Sequence, residues 1–134
     1  MKVRTFLNLK LAILISLLCF SCNDEVEGDC VSREVAFVNE VEAPETSKVN
    51  EVVPVNVSFY MKNTCGSFSE FRESSTEEGK IIEVMASYIG CICGQAIIEG
   101  TQTYEFIPQS TGVYQLNFRS SATELITIYI EVTE

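Results

Sequence analysis

The sequence predicts an all-β fold, a sandwich of about seven short strands. Several segments alternate apolar and polar residues, as in the stretch where Val53, Val55, Val57 and Phe59 share one face. Polar, glycine-containing or proline-containing breaks separate these segments at fairly regular spacing. No segment of useful length carries the apolar stripe of an amphipathic helix. Many short strands without helices are typical of a β-sandwich.

The strands differ in how clearly the sequence marks them. The clearest strand lies at 51–61, where Pro54 removes only one backbone hydrogen-bond donor near the start of the strand. The segment 80–88 is apolar on both faces, so a short helix competes there, but β-branched residues and the flanking Gly79 and Gly90 favour a strand. Residues 42–50 form a polar connection. The predicted strands cover about 34–41, 51–61, 67–73, 80–88, 101–107, 113–120 and 125–132.

The stretch 104–118 is central to this interpretation. Tyr104 and Phe106 share one face of a first strand, and Tyr114 and Phe118 share one face of a second. A polar break separates the two strands, which is typical of a β-hairpin.

The same stretch contains the run P-x-x-x-G-x-Y-x-x-x-F, formed by Pro108, Gly112, Tyr114 and Phe118. This run resembles the E–F corner of immunoglobulin-like and PKD-like extracellular domains. The resemblance implies an immunoglobulin-like Greek-key sandwich, for which we expect the boundaries 34–134. The chain has no tryptophan, which argues against the antibody subtype.

The N-terminal residues predict export. Three basic residues precede an apolar segment, 11–20, that is too short to cross a bilayer, so 1–21 is predicted to be a signal peptide. Ser21 before Cys22 resembles a bacterial lipoprotein signal, which implies that Cys22 is acylated and becomes the new N-terminus. Phe20 departs from the usual motif, and Cys19 is a rival anchor. The alternative is an ordinary secretory signal cut nearby.

An acidic segment follows the predicted anchor. Four of the seven residues 23–29 are acidic, so 22–33 is expected to be a lipidated cysteine with a solvated tether. An acidic run in this place resembles the surface-export signal of Bacteroidota-type outer-membrane lipoproteins. The resemblance implies an outer-membrane lipoprotein that faces the periplasm or the cell surface.

The charge of the mature chain limits its partners. Six basic residues remain after residue 21 against nineteen acidic ones, a balance of −13. This charge argues against binding nucleic acid or an anionic lipid surface by electrostatics. The predicted partners are therefore the membrane, through the lipid anchor, and a protein or glycan at the cell envelope.

Four cysteines remain in the predicted domain and its tether: Cys30, Cys65, Cys91 and Cys93. In an exported chain an even number predicts disulfides. A bond between Cys91 and Cys93 is disfavoured, because strand side chains two residues apart lie about 7 Å apart. Cys65 is therefore expected to pair with one of these two and Cys30 with the other. A four-thiolate zinc site and a redox pair are the alternatives.

The sequence lacks the residues that common catalytic sites need. It has no histidine, which excludes Ser-His-Asp and Cys-His nucleophile systems. Its two aspartates, Asp24 and Asp29, lie in the tether, which excludes EF-hand-like calcium loops. No phosphate-binding glycine loop is present. The glutamates have the spacing of solvated edges and loops, so we predict no catalytic residue, no metal site and no cofactor. The glutamates considered as an acid/base pair are Glu70, Glu73, Glu77, Glu78 and Glu83.

Two aromatic residues are candidate contact residues. Tyr60 and Tyr129 lie off the apolar face of their predicted strands, so their rings are available to a partner, although cross-strand packing competes with that role. The leading hypothesis is a non-enzymatic, lipid-anchored binding or accessory module outside the cytoplasm. The alternative is a thiol-redox or metal-binding protein that uses Cys91 and Cys93.

Overall fold

The computed structural model describes residues 30–77 and 79–134, and in this part of the chain all regular structure is β. The predicted signal peptide, the lipidation site Cys22 and the tether as far as residue 29 lie outside the described residues. Among the described residues no helix is long and apolar enough to span a membrane. The strands are β1 (Val31–Ala36), β2 (Val38–Glu42), β3 (Thr46–Lys48), β4 (Val53–Met61), β5 (Gly66–Thr76), β6 (Gly79–Ile89), β7 (Ile98–Phe106), β8 (Gly112–Arg119) and β9 (Leu125–Thr133).

The strands form two sheets that pack face to face. The larger sheet has the order β1-β6-β8-β9-β3, with β5 paired to the other edge of β6, and the smaller has the order β2-β4-β7. One edge of β6 is shared: β8 pairs in parallel with its first half, and β1 pairs antiparallel with its second half. The predicted all-β sandwich is confirmed, with nine strands in place of about seven.

The core between the sheets follows from the alternation of the strands. In β4, Val53, Val55, Val57 and Phe59 point inward and are buried, while the residues between them are more exposed. From the larger sheet, Phe118 packs against this face, and it is fully buried. A row of aromatic rings, with centroids 5.0 to 6.1 Å apart, fills the side of the core near β5 and β7. The rings belong to Phe59, Phe68, Phe71, Tyr104 and Phe118.

The predicted hairpin at 104–118 is wrong. β7 pairs with β4 in the smaller sheet, whereas β8 pairs with β6 and β9 in the larger one, so the chain crosses between the sheets. Both strands turn an apolar face to the same core from opposite sides, and their alternation is therefore the same as in a hairpin. Pro108 is fully buried at the crossing, and its carbonyl accepts a hydrogen bond of 2.8 Å from the Asn50 N–H.

The first predicted strand, 34–41, is two strands in different sheets. β1 starts at Val31, inside the segment assigned to the tether, and the chain changes sheet at Phe37. Ala36 and Val38 are both buried on either side of this change, so the alternation continues across it. Strand β3 was not predicted, because it lies in the segment 42–50 that was expected to be a polar connection. It pairs in parallel with the end of β9. Its three residues have no buried side chain to mark them.

The two ends of the sandwich carry different elements. The upper end carries the four cysteines, which lie beside the start of β1 and the end of β6. The lower end carries the crossing from β7 to β8, the β5–β6 turn and β3.

Candidate binding surfaces

Two disulfides fix the upper end. Cys30 bonds to Cys91, with Cα atoms 4.9 Å apart, and Cys65 bonds to Cys93, with Cα atoms 5.6 Å apart. Gly90 lies beside the Cys65–Cys93 bond with φ 136°, and a Cβ there would stand 3.0 Å from the Cys65 sulfur. A side chain at this position is therefore disfavoured both by the backbone conformation and by the space available.

The cysteine pairing confirms the prediction of two cross-links and shows that Cys91 pairs with Cys30 and Cys93 with Cys65. Cys91 and Cys93 are each bonded to a distant cysteine and not to each other. In the described part of the chain, no group of three or more Cys, Asp or Glu side chains is placed to hold a metal ion. The arrangement therefore fixes three chain segments at one end of the sandwich.

Tyr60 lies in an exposed apolar surface near that end. The side chains of Phe37, Tyr60 and Ile97 are 42%, 48% and 72% exposed and line a groove of about 570 Å³. The Tyr60 N–H donates to the Phe37 carbonyl at 3.1 Å, which holds the strand change beside β4. We call these three residues the aromatic patch. Its position depends on the chain passing from β1 to β2 at Phe37.

One rim of the groove is charged. Lys62 forms an ion pair with Glu34, and its ammonium group lies 4.8 Å from the centre of the Tyr88 ring. The Lys62 N–H donates to the Tyr88 hydroxyl at 3.1 Å. The lysine is thus neutralised by one neighbour and stacked on another, which leaves the apolar side chains as the main exposed feature of the groove.

Tyr129 lies on a different surface, on β9 of the larger sheet. It is 59% exposed and lines a groove of about 710 Å³ between β2 and β9. Three carboxylates, those of Glu42, Glu45 and Glu131, line the same groove. We call it the acidic groove. The two tyrosines that the sequence singled out therefore belong to two separate surfaces of different character.

A polar cluster joins the two sheets at the lower end. The Tyr104 hydroxyl, which comes from the smaller sheet, donates to Glu73 at 2.6 Å, and Lys80 forms an ion pair with Glu73 at 2.7 Å. Burial acts to raise the pKa of Glu73, but the bonds from Lys80 and Tyr104 outweigh it and lower the pKa. Burial, together with the Glu73 charge, raises the pKa of Tyr104. The phenol is thus a donor that joins the two sheets.

A second charged cluster lies on the outer face of the larger sheet. Glu83 accepts hydrogen bonds from Arg72 at 2.7 Å and from Arg119 at 3.3 Å, across three neighbouring strands. The bonds from Arg72 and Arg119 lower the pKa of Glu83. An ionised carboxylate held between two guanidinium groups is a structural tie and a poor general acid. Glu70 and Glu77 are exposed, and Glu78 lies outside the described residues.

Sequence reasoning missed two members of the aromatic patch. Phe37 was placed inside a single strand and Ile97 in a connection, so neither had a reason to be exposed beside Tyr60. The available signal was the apolar side chain of Phe37 between two smaller apolar residues, since three consecutive apolar positions do not fit a half-buried strand. The acidic groove gave no local signal, because its carboxylates come from two distant segments.

The model of a known domain family covers the part of the sandwich from β4 to β9. No curated protein and no solved structure matches the chain. The model described as the ORF11 beta-sandwich domain matches residues 55–128, which is more than half of the chain and extends from β4 into β9. The chain therefore belongs to the ORF11 beta-sandwich domain family.

Proposed function

We propose that this protein is a non-enzymatic binding or accessory module, anchored to the outer membrane through a lipid on Cys22 and facing the periplasm or the cell surface. The observation that carries the proposal is the aromatic patch. Phe37, Tyr60 and Ile97 expose 42%, 48% and 72% of their surface in one place. Isolated apolar side chains are ordinary on a surface, but a group that lines one groove is typical of an interaction site.

The disulfides support this proposal because they hold the patch in a fixed shape. Lys62 and Glu34 form the rim of the groove; Cys65 follows Lys62 by three residues, and Cys30 precedes Glu34 by four. A surface that is already ordered loses less conformational freedom when it binds. The same bonds require an oxidising compartment, which agrees with export of the chain.

The composition of the patch favours a protein partner. Tyrosine and phenylalanine are enriched in the centres of protein interfaces, where they provide a large contact area at a small cost in side-chain entropy. A glycan needs several polar side chains to bind its hydroxyl groups, and the patch residues offer one phenol. The balance of −13 in the mature chain makes nucleic acid an unsuitable partner.

The immunoglobulin-like assignment is also a proposal, and one contact supports it. The Tyr114 hydroxyl donates to the Ser110 carbonyl at 3.1 Å and accepts from the Ser110 N–H at the same distance. A tyrosine at the start of a strand that bonds back to the preceding corner is a feature of immunoglobulin-like domains. The parallel pairing of β6 with β8 departs from their fully antiparallel sheets.

Position-specific photo-crosslinking on intact cells tests the binding proposal. A benzophenone amino acid in place of Tyr60 is expected to give a discrete adduct with one protein. The same amino acid in place of Glu105, which is exposed on β7, is the matched control and is expected to give none. Adducts that are absent at both positions, or equal at both, would contradict a role for the patch.

Two further measurements address the anchor and the alternative function. Cys22→Ala is expected to abolish incorporation of a labelled fatty acid into the protein, and undiminished labelling of the variant would contradict lipidation at this residue. A thiol count on denatured, unreduced mature protein is expected to find none of the four domain cysteines free. Two reactive thiols at Cys91 and Cys93 would favour the redox or metal-binding alternative.

A further inference from the structure

One edge of the larger sheet is open along most of β9. On that side β3 pairs with Glu131, Val132 and Thr133, and in the described part of the chain no strand pairs with β9 above them. The Glu131 N–H points to this side, since it donates to the Glu45 carbonyl at 2.8 Å. Because backbone groups alternate along a strand, Thr127 and Tyr129 present their N–H and C=O groups to the same open side.

This edge has few of the features that prevent strand pairing. The six residues 125–130, L-I-T-I-Y-I, carry no charge, no proline and no glycine, and five of them are β-branched or aromatic. The other open edges are better protected, and β1 carries the charged residues Arg33 and Glu34. β5 has a register shift at Phe68 and three charged residues at 70–73, and β2 has a register shift at Val38. β7 contains Gly100 and two glutamates.

The acidic groove lies along the open edge of β9. The chain leaves the smaller sheet at Glu42 and reaches the edge of β9 at Glu45, and among the described residues no backbone hydrogen bond joins another segment to this edge above Glu131. The groove there, lined by Thr127 and Tyr129 among others, measures about 710 Å³. An added strand in this groove would continue the line of β3 for about six residues, or roughly 20 Å.

The charges around the groove select the strand that fits. Glu42, Glu45 and Glu131 line it, and none of the three has an ion-pair partner among the described residues. The acidic segment 23–29 of this chain, and a second copy with a balance of −13, would both be repelled. A segment that carries lysine or arginine on one face would be attracted.

We propose that the open edge of β9, with the acidic groove beside it, binds an extended cationic segment of a partner protein by strand addition. Backbone bonds form at Thr127 and Tyr129, and basic side chains meet Glu42, Glu45 and Glu131. Recognition of this kind takes its affinity from main-chain hydrogen bonds and its specificity from alternate side chains. This site is separate from the aromatic patch and does not depend on it.

A synthetic peptide tests the proposal directly. The probe is a capped peptide of about eight residues that alternates lysine with valine, long enough to span the open edge. Binding to the protein as purified from cells is measured by titration, and amide hydrogen exchange locates it. Saturable binding that slows exchange at Thr127 and Tyr129 is expected. No binding, or protection at β7 in place of β9, would overturn the proposal.

Two control peptides separate backbone pairing from charge. A peptide of the same sequence with N-methyl groups on alternate amides cannot complete the ladder, and its affinity is expected to be at least about tenfold lower. A peptide with glutamate in place of lysine is expected not to bind. Equal affinity of the N-methylated and parent peptides would show simple ion attraction and would overturn strand addition. These results do not require any variant of the protein to fold.

Protein variants add a second, independent measurement. Tyr129→Pro removes an outward N–H without removing a β8 ladder bond, and is expected to lower affinity at least about tenfold. Tyr129→Thr keeps this N–H donor and is expected to change the affinity less than about threefold. The triple variant E42Q/E45Q/E131Q is expected to lower the affinity and to make it less dependent on salt. The control E70Q/E77Q/E105Q has the same change in net charge and is expected to leave both quantities unchanged. Equal effects of the two triple variants would overturn the assignment of the groove.

Discussion

At the upper end of the sandwich covalent bonds hold the chain, whereas at the lower end hydrogen bonds and an ion pair join the sheets. The two disulfides fix the start of β1, the β4–β5 turn and the segment after β6. At the other end, Tyr104 reaches from the smaller sheet to Glu73, and Asn50 bonds to Pro108. The upper end therefore depends on the redox state of its surroundings, and the lower end depends on protonation and on individual hydrogen bonds.

This difference has a physical basis in how each end is built. The upper segments contribute little to the core: Cys30, Cys91 and Ile92 are exposed, and Ile92 is 97% exposed. Without apolar burial, these segments need covalent bonds to stay in place. The lower end has the buried Tyr104 and Pro108. Because these residues already lie in the core, hydrogen bonds are enough to fix their orientation.

Removal of the disulfides is expected to have the largest effect. In the chain-entropy model, loss of Cys30–Cys91, which spans 61 residues, costs about 4 kcal/mol of unfolding free energy, and loss of Cys65–Cys93, which spans 28, costs about 3.5 kcal/mol. The variants C30S/C91S and C65S/C93S, unfolded in urea under oxidising conditions, measure the two costs.

A reductant provides the control for this comparison. In its presence the wild type and both double variants are expected to converge on similar midpoints, because all three then lack cross-links. A loss below about 1 kcal/mol for both variants under oxidising conditions would show that the upper end is held by packing and not by the disulfides.

Loss of the Tyr104 hydroxyl is expected to have an intermediate effect on the lower end. Tyr104→Phe keeps the ring in the core and removes the bond to Glu73, at a cost of about 1 to 2 kcal/mol, since bonds to charged groups are stronger than neutral ones but Glu73 is partly exposed to water. The matched control is Tyr60→Phe. The Tyr60 hydroxyl has no hydrogen bond within the described residues, so the expected change is below about 0.5 kcal/mol.

The same variant tests whether the two ends are independent. Because they lie at opposite ends of the strands, the cost of Tyr104→Phe is expected to be equal, within about 0.5 kcal/mol, in the presence and absence of C30S/C91S. Denaturant unfolding of the single and combined variants measures this difference. A clear departure from additivity would show that the disulfides stabilise the lower end through the core.

The fold class could be predicted from sequence, because a strand that buries one face alternates apolar and polar residues. This alternation is the same whichever strands it pairs with. The face of β4 that carries Val53 to Phe59 is an example. The pairing could not be predicted in the same way. The strands at 104–118 alternate identically whether they form a hairpin or face each other across the core, and Pro108 alone does not decide between these arrangements.

The candidate surfaces were predictable only in part, because a surface combines residues from segments that are distant in the sequence. Tyr60 and Tyr129 were selected because they lie off an apolar face, and both are exposed. Their neighbours depend on which distant segments the topology brings together. Phe37 reaches Tyr60 because the chain changes sheet there, and Glu42 reaches Tyr129 because the β2–β3 connection crosses the edge of β9. No local sequence pattern indicates either of these two contacts.

The smallest expected effect is the pH dependence of the lower end. The folded pKa of Glu73 lies below the ordinary value of 4.5, so its ionised form stabilises the fold. That stability is fully present above the unfolded pKa and is lost as the pH falls through the lower, folded pKa. The difference in unfolding free energy between wild type and Glu73→Gln is therefore expected to shrink as the pH falls below about 4.5.

The size of this change is limited by solvent. The side chains of Lys80 and Glu73 are 33% and 43% exposed, so water and salt screen the pair and the change is expected to stay below about 1 kcal/mol. Urea unfolding at several pH values measures it, and Glu70→Gln, at an exposed carboxylate on the same strand, is the control. A difference that grows on acidification would mean that the unfolded state holds Glu73 ionised more strongly than the cluster does. The disulfides at the upper end carry no such proton linkage, so reduction is expected to shift the whole pH profile without changing its slope.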